Sequence, residues 1–141
     1  MKDVEAFCAA FPQPDFYVSD DAVRDAVATR FQFNILHVPT GLKIDVMLPG
    51  TDAFDVARFD RVRRAETGEG LMANYSSPED IIIKKLEFYR EGGSDKHLSD
   101  IAGVVKISGE KLDYPFIAKQ VVKLGLHEIW ASVLKRVREA R

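Results

Sequence analysis

The chain has 141 residues, 46% of them hydrophobic and 30% charged, with a formal net charge of −2. That length suits one domain with a real core, and so small a net charge with both signs mixed argues against a nucleic-acid partner. The single cysteine, Cys8, excludes an internal disulfide and fits a reducing compartment. No apolar run approaches the roughly 20 residues that span a bilayer, so no membrane contact is expected. The opening stretch MKDVEAFCAAF lacks the apolar run of a secretory signal, and the expected location is cytoplasmic.

Val4, Phe7, Cys8 and Phe11 recur at helical spacing, which predicts a helix over residues 2–11, ended by Pro12 and Pro14. A short extended piece, Asp15–Val18, leads to Ser19, a helix cap followed by Asp20 and Asp21 where the helix dipole favours acids. Ala22, Val23, Ala26 and Val27 form that helix's apolar stripe. Residues 33–38 then read as a strand, 39–41 as a tight turn, and 42–48 as the antiparallel partner strand. In the second strand Leu42, Ile44, Val46 and Leu48 alternate with Lys43, Asp45 and Met47, which predicts one buried and one open face.

Residues 49–64 read as irregular or briefly helical, anchored by Phe54, Val56 and Phe59. A second pair of short strands is expected near 60–65 and 71–75, joined through Thr67–Gly70. Beyond it the pattern is helical to the end. Ser77, Pro78 and Asp80 give a helix a cap, a proline at its first position and an acid at its third. Ile81, Ile82, Leu86 and Phe88 follow, and Gly92 and Gly93 stop it. Ser94 and Asp113 are expected to cap two more helices, Gly125 ends the second of these, and a last helix carries Ile129, Trp130, Val133, Leu134 and Val137. The expected fold class is α+β: a small antiparallel or mixed sheet with N-terminal helices, then a helical bundle. Residues 1–141 form one domain on this reading, with an α/β part over 1–75 and a helical part over 76–141.

Few residues signal chemistry. Cys8 lies on an apolar helical face, as a structural thiol does. His37, His97 and His127 show no metal-ligand spacing. Gly68–Gly70 lacks the Lys-Ser/Thr that follows a phosphate cradle. Lys43 and Asp45 are the exception, because alternate strand residues share a face. A carboxylate there could hold Mg²⁺ and an ammonium could face a phosphate. The pattern by itself favours an exposed ion pair worth under about 1 kcal/mol. Lys85 falls near the apolar side of its helix, where a lysine stem can snorkel. Its neighbour Lys84 looks solvent-facing. Asp100, beside Ile101, reads as a partner for a basic residue.

Three stretches taken together, FNILHVPTGLKIDVML, SPEDIIIKKLEFYREGG and SDKHLSDIAGVVKISGEKLDYPFIAKQVVKLGL, resemble a bacterial family with the nucleotidyltransferase fold, related to AbiEii-type toxin domains. They lie in order within residues 33–141, some three quarters of the chain. The resemblance implies that Asp45 is the third, metal-facing carboxylate of a two-metal nucleotidyl-transfer site. It implies that Lys43 is a phosphate-side neighbour, and that Lys85 and Asp100 are the Lys and Asp of the family's helical region, Lys85 on the nucleotide side. The implied cofactor is Mg²⁺. The family's Gly-Ser turn and Asp-x-Asp strand have no counterpart before Lys43. The expectation is therefore a truncated nucleotidyltransferase-like protein, inactive alone, that acts as a binding or assembly module. A missing hairpin would leave an open sheet edge, so a homodimer through that edge or through the N-terminal helices is expected. Two alternatives stay open. One is an active enzyme whose missing acids lie upstream or on another chain; the other is an antitoxin-like partner of a full-length relative.

Overall fold

The order of apolar and capping residues along the chain produces an α+β architecture. In the computed structural model, which describes residues 3–68 and 70–139, seven α-helices accompany two antiparallel sheets of three and two strands. Lys2, at the head of the expected first helix, and Glu69, in the Gly68–Gly70 turn, lie outside the described residues. The chain divides into two compact units, Met1–Ala57 and Arg58–Arg141. The division falls before the second hairpin.

In the first unit, helix α1 (Val4–Ala9) is shorter than the spacing suggests. Asp3 caps it by accepting from the Ala6 N–H at 2.9 Å, and the Ala10 N–H turns back on the last carbonyls. Phe11, beyond its end, still packs with it: Phe7 meets Phe11 and Phe33 with ring centroids 5.2 and 5.5 Å apart. Helix α2 (Asp20–Thr29) is capped by Ser19, as expected. Strands β1 (Phe16–Tyr17), β2 (Gln32–His37) and β3 (Leu42–Met47) form the sheet in the order β1-β2-β3, all antiparallel. Phe33 and Ile35 on β2 meet Val23 and Ala26 of α2 to form the buried centre of this unit.

The strand alternation holds, but its consequence differs from the expectation. Leu42 and Ile44, assigned to the buried face of β3, are 60% and 41% exposed. β3 is an edge strand, and α2 packs chiefly on β2, so cover fades across the sheet. Only Val46 and Leu48 reach the apolar cluster. After β3, Asp52 accepts from the N–H groups of Phe54 and Asp55 and opens a short helix, α3 (Ala53–Arg58).

In the second unit, β4 (Arg63–Glu66) pairs with β5 (Met72–Tyr75), close to the expected hairpin. Helix α4 (Pro78–Gly92) begins at Ser77, whose hydroxyl accepts from the Asp80 N–H, and ends at Gly93, which holds φ 65°. Ser94 precedes α5 (Asp95–Ser108), but its side chain makes no capping bond, contrary to the expectation. Helix α6 (Tyr114–Lys123) starts at Asp113, which accepts from the Phe116 N–H, and α7 (His127–Glu139) closes the chain. Ile82, Leu86, Ile101, Ile117, Leu126 and Val133, drawn from all four helices and their connections, make one buried cluster. No helix among the described residues is long and apolar enough to cross a membrane.

Candidate functional site

Asp45 stands opposite Asn34 on β2, and Lys43 opposite Leu36. Both project from the sheet face away from the Phe33–Ile35 side. They find each other: Lys43 Nζ lies 3.1 Å from Asp45 Oδ1, with both side chains more than half or about half exposed. The arrangement is an ion pair along one edge strand, in water. His37, at the other end of β2, pairs its Nδ1 with Thr40 Oγ1 at 2.7 Å and so serves the turn.

Lys85 and Asp100 also meet. Their helices pack side by side, and Lys85 Nζ donates to Asp100 Oδ2 at 2.6 Å. This hydrogen bond holds the Asp100 carboxyl below the ordinary carboxylate range, against the opposing effect of burial, and the charges of Lys85, Lys96 and His97 add to it. Lys84 is not solvent-facing. Its side chain is only 19% exposed, lies 2.8 Å from Glu87 and sits over the Phe88 ring at 5.6 Å. In each pair the ammonium is already engaged by a carboxylate. The Lys43–Asp45 pair belongs to the first compact unit and the Lys85–Asp100 pair to the second.

A third cluster escaped the sequence reading. Asp80, with a side chain 1% exposed, accepts from Arg61 Nη2 at 2.7 Å, from Arg61 Nε at 3.1 Å and from the Ser77 hydroxyl at 2.9 Å. Beside it, buried Glu79 accepts from the Asp113 N–H at 3.1 Å and from Arg63 at 3.4 Å. Arg61 also stacks over Phe116, 5.0 Å from the ring centre. Arg61, Arg63, Ser77, Glu79 and Phe116 line a cleft of about 250 Å³ together with Lys111. The signal was present: two acids in the first turn of α4, and two arginines at alternate positions, Arg61 just before β4 and Arg63 at its start. The sequence reading takes Asp80 only as the acid at the third position of a helix start.

Comparison with protein-family models, with curated proteins and with solved structures finds no match. A Mg²⁺ ion asks for near-octahedral oxygen ligands and binds through carboxylates plus substrate phosphates. Asp45 offers one carboxylate, closed on a lysine, with an amide and apolar groups as its neighbours across the strand. Among the described residues no group of three or more His, Cys, Asp or Glu stands where it could hold a metal ion. The donor set around Asp45 does not fit the ion.

Proposed function

We propose that this chain is a nucleotidyltransferase-like module that works by assembly with another chain and does not transfer nucleotides by itself. The observation that carries this reading is strand β3. Among the described residues it has a neighbour on one side only, and it leaves Leu42, Ile44 and Met47 exposed beside an ion pair that occupies the one acid the resemblance assigns to a metal. An edge of this kind is a template for another strand. The contact between Lys85 and Asp100 supports the same reading, because both residues the resemblance singles out in the helical region are tied to one another across α4 and α5. There they clamp two helices.

The test is sedimentation equilibrium of the full chain over the micromolar range. Self-association that weakens when β3 is altered and persists when surface residues of α7 are altered is the expected result. A monomer throughout, with no partner chain retained, contradicts the reading. The alternative, a catalyst completed by acids from another chain, uses the same edge. It is favoured if a full-length relative mixed with this chain transfers nucleotides in a manner that depends on Asp45.

A further inference from the structure

The open edge of β3 has a definite hydrogen-bonding phase. The Leu48 N–H bonds to the Phe31 carbonyl at 2.8 Å, and the Val38 N–H bonds to the Asp15 carbonyl at 2.8 Å. In an antiparallel ladder, pairs that exchange hydrogen bonds alternate with pairs that do not. Given the register of β2 with β3, both bonds place the same residues inward: Leu42, Ile44 and Val46 direct their backbone groups at β2. The groups left facing outward belong to Lys43, Asp45 and Met47. A strand docking here must bring its own outward-facing residues opposite these, which removes every second register.

We propose that the occupant of this edge is β3 of a second copy, antiparallel, with the two-fold axis at Ile44. This deepens the assembly reading above and rests on it. In that register Lys43 stands opposite Asp45 of the second copy, and Asp45 opposite Lys43 of the second copy. Ile44 meets its own equivalent, and Leu42 meets Val46. Opposite charges directly across a ladder favour pairing and like charges oppose it. Moving the axis to Asp45 would oppose two carboxylates, and moving it to Lys43 would oppose two ammonium groups. Among these neighbouring registers that the hydrogen-bonding phase permits, only the one centred on Ile44 joins unlike charges. Lysine on an edge ordinarily wards off other strands. Here the Asp two residues later turns that guard into a self-complementary pattern.

The faces agree as well. Residues opposite one another in a sheet project to the same side. Leu42 and Ile44, 60% and 41% exposed, would therefore lie against Val46 and Ile44 of the second copy on one side of the joined sheet. The ion pair that now runs along one strand at 3.1 Å would be exchanged for two that cross the interface. The result is a continuous sheet in which both edges at the join are removed.

The test uses the full chain and two independent readouts. In a Cys8→Ser background, Ile44→Cys should form a disulfide-linked dimer on mild oxidation, because a pair without ladder bonds sets its Cα atoms about 4.5 Å apart, within disulfide reach. Leu42→Cys in the same background should not, since its two copies would stand roughly 13 Å apart along the strands. By charge, Asp45→Lys and Lys43→Asp should each weaken self-association by on the order of tenfold. An equimolar mixture of the two variants should associate again, and the double variant Lys43→Asp/Asp45→Lys should associate as the native chain does. All four positions are exposed or half-buried at the edge, so the variants fold alike, which circular dichroism checks. A dimer indifferent to the charges, or one without the Ile44 crosslink, overturns this register and leaves assembly standing. A native chain that stays monomeric overturns both.

Discussion

Asp80 shows most clearly what a single side chain does here. A carboxylate taken out of water is tolerable only when its charge is matched and its lone pairs are filled. Arg61 and Ser77 do both. Replacing Arg61 by Met leaves a buried unpaired charge and should lower stability by about 3 kcal/mol, read from urea unfolding. The double variant Arg61→Met/Asp80→Asn should cost clearly less than the sum of its parts, because the second change removes the charge that the first strands. Additive effects would show that the contact does not couple the two residues. Asp100 makes a milder case, since its side chain and that of Lys85 are part-exposed. Its carboxyl is held below the usual range in the folded chain, so the stability it contributes is present above the unfolded value of about 3.9 and is lost as pH falls through the folded one. Asp100→Asn should therefore lose less stability than the native chain between about pH 6 and about pH 3. An equal loss in both would contradict the pairing. Cys8 is shifted the other way: burial first, and then its hydrogen bond to Asp20, push the thiol up, so alkylation at about pH 8 should be slower than for a free cysteine and faster in Asp20→Asn.

At the scale of elements, what could be read from the sequence was what is local. Caps at Ser19, Ser77 and Asp113 form because each acceptor lies three residues from the N–H it satisfies, a relation visible in any short window. The alternation of β3 was equally visible, and so was its antiparallel partner. What the alternation could not give was the cover over each face. That depends on where α2 lands, and it lands on β2, which leaves Leu42 and Ile44 open. Arg61 and Asp80 were missed for a related reason: they are 19 residues apart, on either side of a hairpin, and only its closure brings them together. The link before α3 is another tertiary detail. The Gly50 N–H donates to Asp55 Oδ2 at 2.9 Å, and a Cβ at Gly50 would fall 2.6 Å from that oxygen. Gly50→Ala should accordingly destabilise the chain by about 1–3 kcal/mol, the usual range for overpacking. A thermal midpoint unchanged from the native chain would show that the loop relaxes freely.

For the whole molecule, the candidate site was half legible. Sequence spacing put Lys43 and Asp45 on one face, and the structure joins them; it named Lys85 and Asp100 separately, and the structure joins those too. In both cases the partnership is what limits the chemistry, because a lysine engaged by a carboxylate is poorly placed to receive a phosphate, and a carboxylate engaged by a lysine is poorly placed to receive a metal. The proposed module would then act through its edge, with the nucleotidyltransferase-like features as framework. Calorimetric titration of the full chain with Mg²⁺ and each nucleoside triphosphate, beside Asp45→Ala, tests this most directly. No heat beyond dilution is expected for either protein. Micromolar binding by the native chain that disappears in Asp45→Ala would contradict it, and would return Asp45 to the role of a working metal ligand.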